Sequence, residues 1–190
     1  MDAAVTDPVA RIAQDVLDAP AVRGIRIVGV DGPSGSGKST LAARVASALD
    51  APLIQIDDFV SWPDFSGWWP RFEAQVLQPL LAGRPAHWQV RDWAGDELGT
   101  SLGEWRTLEW APVVIVEGVT SCRRAAADSL TYSIWVDAPA GLRLGRGIER
   151  DGESHRALWE TWMAEEDEFF RDDGTRDRAD LIVSGERALP

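Results

Sequence analysis

The sequence has little of several residue types, and each shortage excludes a class of protein. A single cysteine, Cys122, among 190 residues excludes a fold held together by internal disulfides. No apolar run approaches the roughly eighteen residues that a membrane-spanning helix needs, so we expect no membrane partner. Acidic residues also outnumber basic ones and give a formal net charge of -12, so we expect no nucleic-acid partner.

Residues 1–7 are acidic and lack the basic start and apolar stretch of a secretory signal, so we expect a cytoplasmic protein. The composition is 45% hydrophobic and 26% charged, which suits a chain that buries a sizeable core. The sequence contains no repeat, no low-complexity tract and no long linker. Residues 1–190 are therefore predicted to form one domain.

Lysine is almost absent, because all but one of the nineteen Lys and Arg residues are arginine. The exception, Lys38, lies in the segment GPSGSGKS at residues 32–39, which satisfies the pattern G-x-x-x-x-G-K-[ST]. The segment follows an apolar strand pattern at 24–31 and precedes a helical pattern at 38–49, as a phosphate-binding loop requires. A compact ammonium fits between phosphates where a planar guanidinium does not, which accounts for this lysine.

Each position of this segment has a physical role in binding a nucleotide. Glycines let successive backbone N–H groups converge on an anion, and the following helix adds the positive end of its dipole. Lys38 is placed to reach the β- and γ-phosphates, and the Ser39 hydroxyl to bind Mg²⁺. ATP and Mg²⁺ are therefore the expected cofactors. The predicted nucleotide contacts are Gly32, Ser34, Gly35, Ser36, Gly37, Lys38, Ser39 and Thr40.

Apolar runs separated by helical patterns predict the fold class. Strands are predicted at residues 24–31, 53–56, 112–117, 131–136 and 179–183. Helices are predicted at residues 8–19, 38–49, 71–82 and 154–170, with another that carries Arg143 to Arg150. Residues 85–110 are rich in Trp and Gly, and we expect irregular structure there with a short hairpin. The pattern indicates an α/β fold with a parallel sheet covered on both faces.

Acidic residues follow two of the predicted strands, at the sheet edge where α/β folds bind ligands. Glu117 closes the strand VVIVE, where it could hold Mg²⁺ directly or through water. Asp57 and Asp58 follow the strand LIQI, and one of them could accept a proton from an attacking hydroxyl. For Asp58, a cap on the following turn is an equally good interpretation.

Three arginines, Arg143, Arg146 and Arg150, are spaced three and four apart and would share one face of a helix. Guanidinium groups suit phosphate oxygens, so one or two of the three are predicted to bind phosphate. The alternative is a solvated basic face that neighbours such as Glu149 and Asp151 balance.

Together these segments resemble the uridine kinase and phosphoribulokinase-like branch of P-loop kinases. The resemblance covers most of the chain, from about residue 24 to residue 185. The segments that carry it are GVDGPSGSGKST (29–40), IDDF (56–59), RDW (91–93), VIVEGV (114–119) and RLGRGIERDG (143–152).

The resemblance implies a P-loop NTPase three-layer fold with five parallel strands in the order 2-3-1-4-5. It implies that the γ-phosphate of ATP moves to a hydroxyl of a small, nucleoside-like metabolite. Asp57 aligns with the general base, and Ser39, Glu117 and Asp57 with the Mg²⁺ site. Lys38, Arg146 and Arg150 would be catalytic, and Arg143 would bind the nucleotide. Residues 139–153 look like the lid, and residues 60–110 like the acceptor pocket.

The acceptor segment departs from the family pattern. Uridine kinases usually have Tyr-Asp-Phe and a nearby histidine where this chain has Arg91, Trp93 and Asp96, so a pyrimidine acceptor is not implied. The predicted substrate contacts are Asp58, Trp69, Arg91 and Trp93.

Both a monomer and a homo-oligomer agree with the sequence. Two other functions also agree with it. The first is a kinase whose acceptor is a nucleoside monophosphate, which would need arginines such as Arg71, Arg84 and Arg91 at the acceptor site. The second is an ATP-binding regulator without turnover.

Overall fold

A computed structural model describes residues 7–187. The acidic residues 1–6, on which the expectation of a cytoplasmic protein depends, lie outside the described residues. Within 7–187, no helix is both long enough and apolar enough to cross a membrane.

The described chain alternates strands and helices in the way that the apolar pattern predicts. The strands are β1 (Arg26–Asp31), β2 (Leu53–Gln55), β3 (Ala86–Arg91), β4 (Leu102–Leu108), β5 (Val113–Glu117), β6 (Tyr132–Asp137) and β7 (Leu181–Ser184). The helices are α1 (Pro8–Asp18), α2 (Lys38–Leu49), α3 (Trp69–Phe72), α4 (Gln78–Leu81), α5 (Ala140–Asp151), α6 (Arg156–Asp173) and α7 (Thr175–Arg178). A π-helical turn, Glu73–Leu77, joins α3 to α4, and Gly83 with φ 70° follows their end.

Five of the strands form a parallel sheet in the order β2-β5-β1-β6-β7. This order differs from the expected 2-3-1-4-5, because the described chain has seven strands and not five. The two additional strands, β3 and β4, pair with each other as an antiparallel hairpin outside the sheet. They come between β2 and β5 in the chain, and they shift the numbering of every later strand. The hairpin lies in the segment 85–110, where the sequence predicts one.

Side chains alternate along the central strands, so the sheet buries apolar residues on both faces. On one face, Val28 and Ile115 pack with α1 and α2. On the other face, Ile27 and Val114 pack with the α3–α4 segment, the hairpin and α6. This arrangement leaves the carboxyl ends of β1, β2 and β5 at one edge of the sheet, where the candidate site lies.

Helix α5 approaches α6 closely because Gly147 has no side chain. A Cβ atom at Gly147 would lie 2.4 Å from the indole of Trp159, which is itself 2% exposed. By contrast, a Cβ atom at Gly145, also on α5, would meet nothing within 4 Å. The two glycines therefore differ in packing and share a helical backbone.

We expect Gly147→Ala to lower the melting temperature, because the methyl group must displace the buried Trp159 ring. Overpacking of this kind costs about 1–3 kcal/mol. Gly145→Ala is the matched control, and its better helix propensity should stabilise the protein by about 0.5–1 kcal/mol. Thermal unfolding followed by circular dichroism measures both. Equal effects of the two substitutions would contradict the close α5–α6 contact.

Candidate active site

A cavity of about 830 Å³ opens at the carboxyl edge of the sheet. Its wall includes the loop between β1 and α2, the segment after β2, the segment after β3, and residues of α5 and α6. A second cavity of about 260 Å³ shares Gly37, Thr40 and Arg146 with the first. The two cavities therefore meet at the glycine-rich loop.

The backbone of the glycine-rich loop has a conformation that residues with a Cβ atom rarely adopt. Gly35 has φ 77°, and a Cβ atom there would lie 2.6 Å from the carbonyl oxygen of Arg143. Gly37, with φ 98°, leads directly into α2 at Lys38. The predicted nucleotide contacts that line the large cavity are Ser34, Gly35, Gly37, Lys38, Ser39 and Thr40. Gly32 and Ser36 do not line it, since Gly32 packs on the backbone of Val136 and Ser36 is fully buried.

Glu117, at the end of β5, lies against the first turn of α2. The Ser39 hydroxyl donates a hydrogen bond of 3.0 Å to the Glu117 Oε1 atom. Burial raises the pKa of Glu117, and the charge of Lys38 acts in the opposite direction. A hydroxyl and a carboxylate in one cavity are the hard oxygen ligands that Mg²⁺ prefers, so the residues fit this ion. Within residues 7–187, no group of three or more His, Cys, Asp or Glu side chains could hold a metal ion.

Asp57 and Asp58 lie on a 3₁₀ turn, Ile56–Asp58, directly after β2, and the turn gives their side chains different surroundings. Asp57 lines the large cavity, together with Glu117 and Lys38. Asp58 is buried and accepts hydrogen bonds from Trp88 Nε1 at 2.9 Å and from Arg106 at 3.1 Å. Burial also raises the pKa of Asp58. The sequence predicts that Asp58 contacts substrate, whereas in the structure its carboxylate binds Trp88 and Arg106 of the hairpin and does not line the cavity.

Of the three arginines of α5, one is buried and two line the large cavity. Arg143, for which the sequence predicts a contact with nucleotide, is buried, pairs with Glu166 at 3.1 Å and lies outside the cavity wall. Helix α6 covers α5 at the position of Arg143. Arg146 lines both cavities and donates to the carbonyl oxygens of Gly35 at 3.0 Å and Gly185 at 2.9 Å. Arg150 lines the large cavity and pairs with Asp151 through two hydrogen bonds, of 2.7 and 2.9 Å.

Sequence reasoning missed Glu166, which holds the glycine-rich loop from the side of α6. Its side chain is fully buried, and its Oε1 atom accepts from Ser34 N at 2.7 Å and Trp162 Nε1 at 2.8 Å. Its Oε2 atom accepts from Arg143. A signal was available, because Glu166 follows Trp159 and Trp162 at helical spacing on the face that turns inward.

Asp31 was also missed, although it is the residue before the glycine-rich loop. Its buried carboxylate accepts three backbone N–H groups, from Gly32 at 2.6 Å, Thr120 at 2.8 Å and Cys122 at 2.7 Å. Burial raises the pKa of Asp31 to about 7, although these three bonds favour the ionised form. The bond to Thr120 also holds a β-branched residue at φ 61°, a conformation such residues rarely adopt. Asp31 therefore ties the loop to the segment after β5.

Some of the tryptophans, like some of the arginines, line the large cavity and others do not. Four of them, Trp62, Trp93, Trp159 and Trp162, line the large cavity. Trp69, a predicted substrate contact, packs on Trp68 and Phe72 and does not line it. Arg91, another predicted substrate contact, also lies outside the cavity wall and donates to Phe59 O at 2.8 Å and to Thr100 O at 3.0 Å.

A contact crosses the cavity wall between the α5–α6 connection, just after the predicted lid at residues 139–153, and the predicted acceptor-pocket segment at residues 60–110. His155 follows α5, and its Nε2 atom lies 2.9 Å from Oε1 of Glu97 in the segment after β3. Both residues line the cavity. The α5–α6 connection and the 92–101 segment therefore touch beside the candidate site.

Known structures share this fold. Neither a comparison with protein-family models nor a comparison with curated proteins finds a match. A "possible uridine kinase" from Bacillus stearothermophilus superposes with a TM-score of 0.67 and 19% identity, over 93% of this chain and 97% of that one. A "putative fructose transport system kinase" from Silicibacter sp. TM1040 gives 0.62 and 22%, over 92% and 98%. The chain has the fold of these kinases.

The raised pKa of Asp31 makes stability depend on pH. Between about pH 4 and pH 7 the folded chain keeps a proton that the unfolded chain has lost, so the free energy of unfolding falls as pH rises. Asp31→Asn removes this contribution. We expect the wild-type advantage over Asp31→Asn in unfolding free energy to shrink by about 1–3 kcal/mol between about pH 5 and pH 8.

Urea denaturation of both proteins at several pH values measures this difference. Asp128→Asn, at an exposed position, is the control and should show no such change with pH. A constant difference between wild type and Asp31→Asn would contradict the raised pKa.

Proposed function

We propose that this protein is a P-loop kinase that transfers the γ-phosphoryl group of ATP to a hydroxyl of a small molecule. One observation carries the proposal: Lys38, the Ser39–Glu117 pair and the Asp57 carboxylate line a single cavity. Phosphoryl transfer to an alcohol needs a phosphate-binding loop, a metal site and a base within reach of one another. The likeness in fold to two proteins described as kinases supports the same reaction class.

In this proposal the nucleotide lies across both cavities. The phosphates bind to the backbone of residues 34–40, where the first turn of α2 adds the positive end of its dipole. The smaller cavity, between the loop and the Ser184–Gly185 segment, takes the nucleoside end. Arg146 lines both cavities and is the cation best placed to bind a phosphate beside Lys38.

Ser39 and Glu117 would hold Mg²⁺, with Asp57 as the further carboxylate of the same wall. When bound, the ion neutralises negative charge on the phosphates. Burial raises the pKa of Glu117, and the positive charge of the bound ion would favour its ionised form.

The acceptor hydroxyl would attack the γ-phosphorus while Asp57 accepts its proton. A bond forms between the acceptor oxygen and phosphorus, the bond from phosphorus to the β–γ bridging oxygen breaks, and ADP leaves. Lys38 and Arg146 stabilise the charge of the transferring group, and Arg150 acts from the cavity edge. Residues 139–153 serve as the lid in this proposal. Residues 60–110 supply part of the acceptor pocket, and α6 supplies the rest.

The other two functions have less support. A monophosphate acceptor would need free arginines, but Arg71, Arg84 and Arg91 do not line the cavity. Arg71 donates to the carbonyl oxygens of Asp58 and Phe59, each at 3.1 Å. A regulator without turnover would have no use for a carboxylate facing the phosphate loop, and within residues 7–187 the Asp57 carboxylate accepts no hydrogen bond.

Release of ADP that depends on an added alcohol tests the proposal. We expect Asp57→Asn to lower kcat by about 10²–10⁴-fold, because it removes the base, with a smaller change in the KM for ATP, because Lys38 and the Ser39–Glu117 pair remain. Lys38→Ala should lower kcat/KM by about 10²–10³-fold, because it removes charge stabilisation from the transferring group. A coupled assay of ADP over a panel of nucleosides, sugars and amino alcohols measures both.

Asp128→Asn, which changes the same side chain at an exposed site, should match wild type. Full activity in Asp57→Asn would remove the proposed base. Tight ATP binding with no acceptor-dependent ADP release from any compound would favour the regulator and end the kinase proposal.

A further inference from the structure

The cavity offers aromatic surface to an acceptor. Its four tryptophans come from the segment after β2, the segment after β3 and helix α6. Trp62 packs edge to face on both Trp159 and Trp162, with ring centroids 5.9 and 5.3 Å apart. These contacts join three of the four rings, those of Trp62, Trp159 and Trp162, into one part of the cavity wall.

The protein itself uses the hydrogen-bond donors of three of these rings. Trp93 Nε1 donates to Asp57 O at 2.8 Å, Trp159 Nε1 to Asp151 at 2.9 Å, and Trp162 Nε1 to Ser34 Oγ at 2.9 Å. Of these three, Trp93 is 39% exposed and presents carbon surface to a ligand, whereas Trp159 and Trp162 are buried and Arg150 already lies over the Trp159 ring, 5.5 Å from its centroid. The face of an indole ring carries partial negative charge, and it attracts cations.

The charged groups of the cavity wall favour the same kind of ligand. Four carboxylates line it, Asp57, Glu97, Glu117 and Asp151, against the permanent cations Lys38, Arg146 and Arg150. Lys38 and Arg146 adjoin the phosphate loop, and Arg150 is paired with Asp151. Away from the loop this leaves Asp57 and Glu97, of which Glu97 is paired only with His155. Bound ATP would add more negative charge.

We propose that the acceptor is an alcohol that carries a positively charged nitrogen and no phosphate or carboxylate. The inference depends on the proposed kinase function and names the class of its acceptor. The hydroxyl lies at Asp57, and the cation lies against the exposed indole surface with Glu97 as its counter-charge. Away from the glycine-rich loop an anionic acceptor would instead meet these two carboxylates, and the arginine of the wall there, Arg150, is paired with Asp151.

Charge-matched pairs of alcohols test this inference. The pairs are choline with 3,3-dimethyl-1-butanol, glucosamine with glucose, and 3′-amino-3′-deoxyadenosine with adenosine, and glucose 6-phosphate is the anionic probe. Binding is measured by quenching of tryptophan fluorescence with a non-hydrolysable ATP analogue present, and turnover by ADP release. In at least one pair we expect the cationic member to bind about tenfold more tightly than its neutral partner.

Glu97→Gln should reduce this preference to about a third or less, because it removes the counter-charge and keeps the shape. Glu168→Gln, an exposed position on α6, is the matched control and should keep the preference. Equal or tighter binding of the neutral or anionic members, no binding of any cationic member, or an unchanged preference in Glu97→Gln would each overturn the inference.

The two readouts separate this inference from the kinase proposal. ADP release with a neutral alcohol and not with its cationic partner would keep the kinase and overturn the cationic acceptor. Tight binding of a cationic alcohol without ADP release would support the cation site and count against phosphoryl transfer.

Discussion

The shape of the glycine-rich loop, which the proposed function needs for binding phosphate, depends on buried carboxylates behind it. Asp31 binds the N–H of Gly32, and Glu166 binds the N–H of Ser34. Both side chains are fully buried, so removing either would leave N–H groups without a partner. The cost of burying charge appears in the raised pKa of Asp31. The loop is therefore held in shape before any ligand binds, which lowers the entropy lost on binding.

The same two carboxylates connect the loop to the rest of the cavity. Asp31 also binds the segment after β5, which follows Glu117. Glu166 also binds Arg143 of α5 and Trp162 of the cavity wall. The candidate metal site, the arginine helix and the aromatic wall are thus all tied to one loop. A movement of α5 would reach the loop through Arg143 and Glu166, which gives the proposed lid a direct connection to the phosphates.

The sequence predicted the parts of the site that depend on local spacing. The phosphate loop, the strand that ends at Glu117 and the turn that carries Asp57 each follow from a short segment and its place in a parallel sheet. Side-chain direction was harder to predict. Arg143 and Arg146 share a helical pattern, yet α6 covers only the first. Asp57 and Asp58 are neighbours, yet the 3₁₀ turn sends one into the cavity and the other beneath the hairpin.

The sequence by itself determined the fold class and the position of the glycine-rich loop, because apolar periodicity and a glycine-rich motif are properties of neighbouring residues. Even the shortage of lysine pointed to the loop, since Lys38 is the only one. Only the tertiary structure decided which tryptophans line the cavity and which carboxylates are buried behind the loop. Ser34 and Glu166 are 132 residues apart in the chain, and packing of α6 on the sheet brings them together. Contacts of that kind depend on how elements pack, which local pattern does not encode.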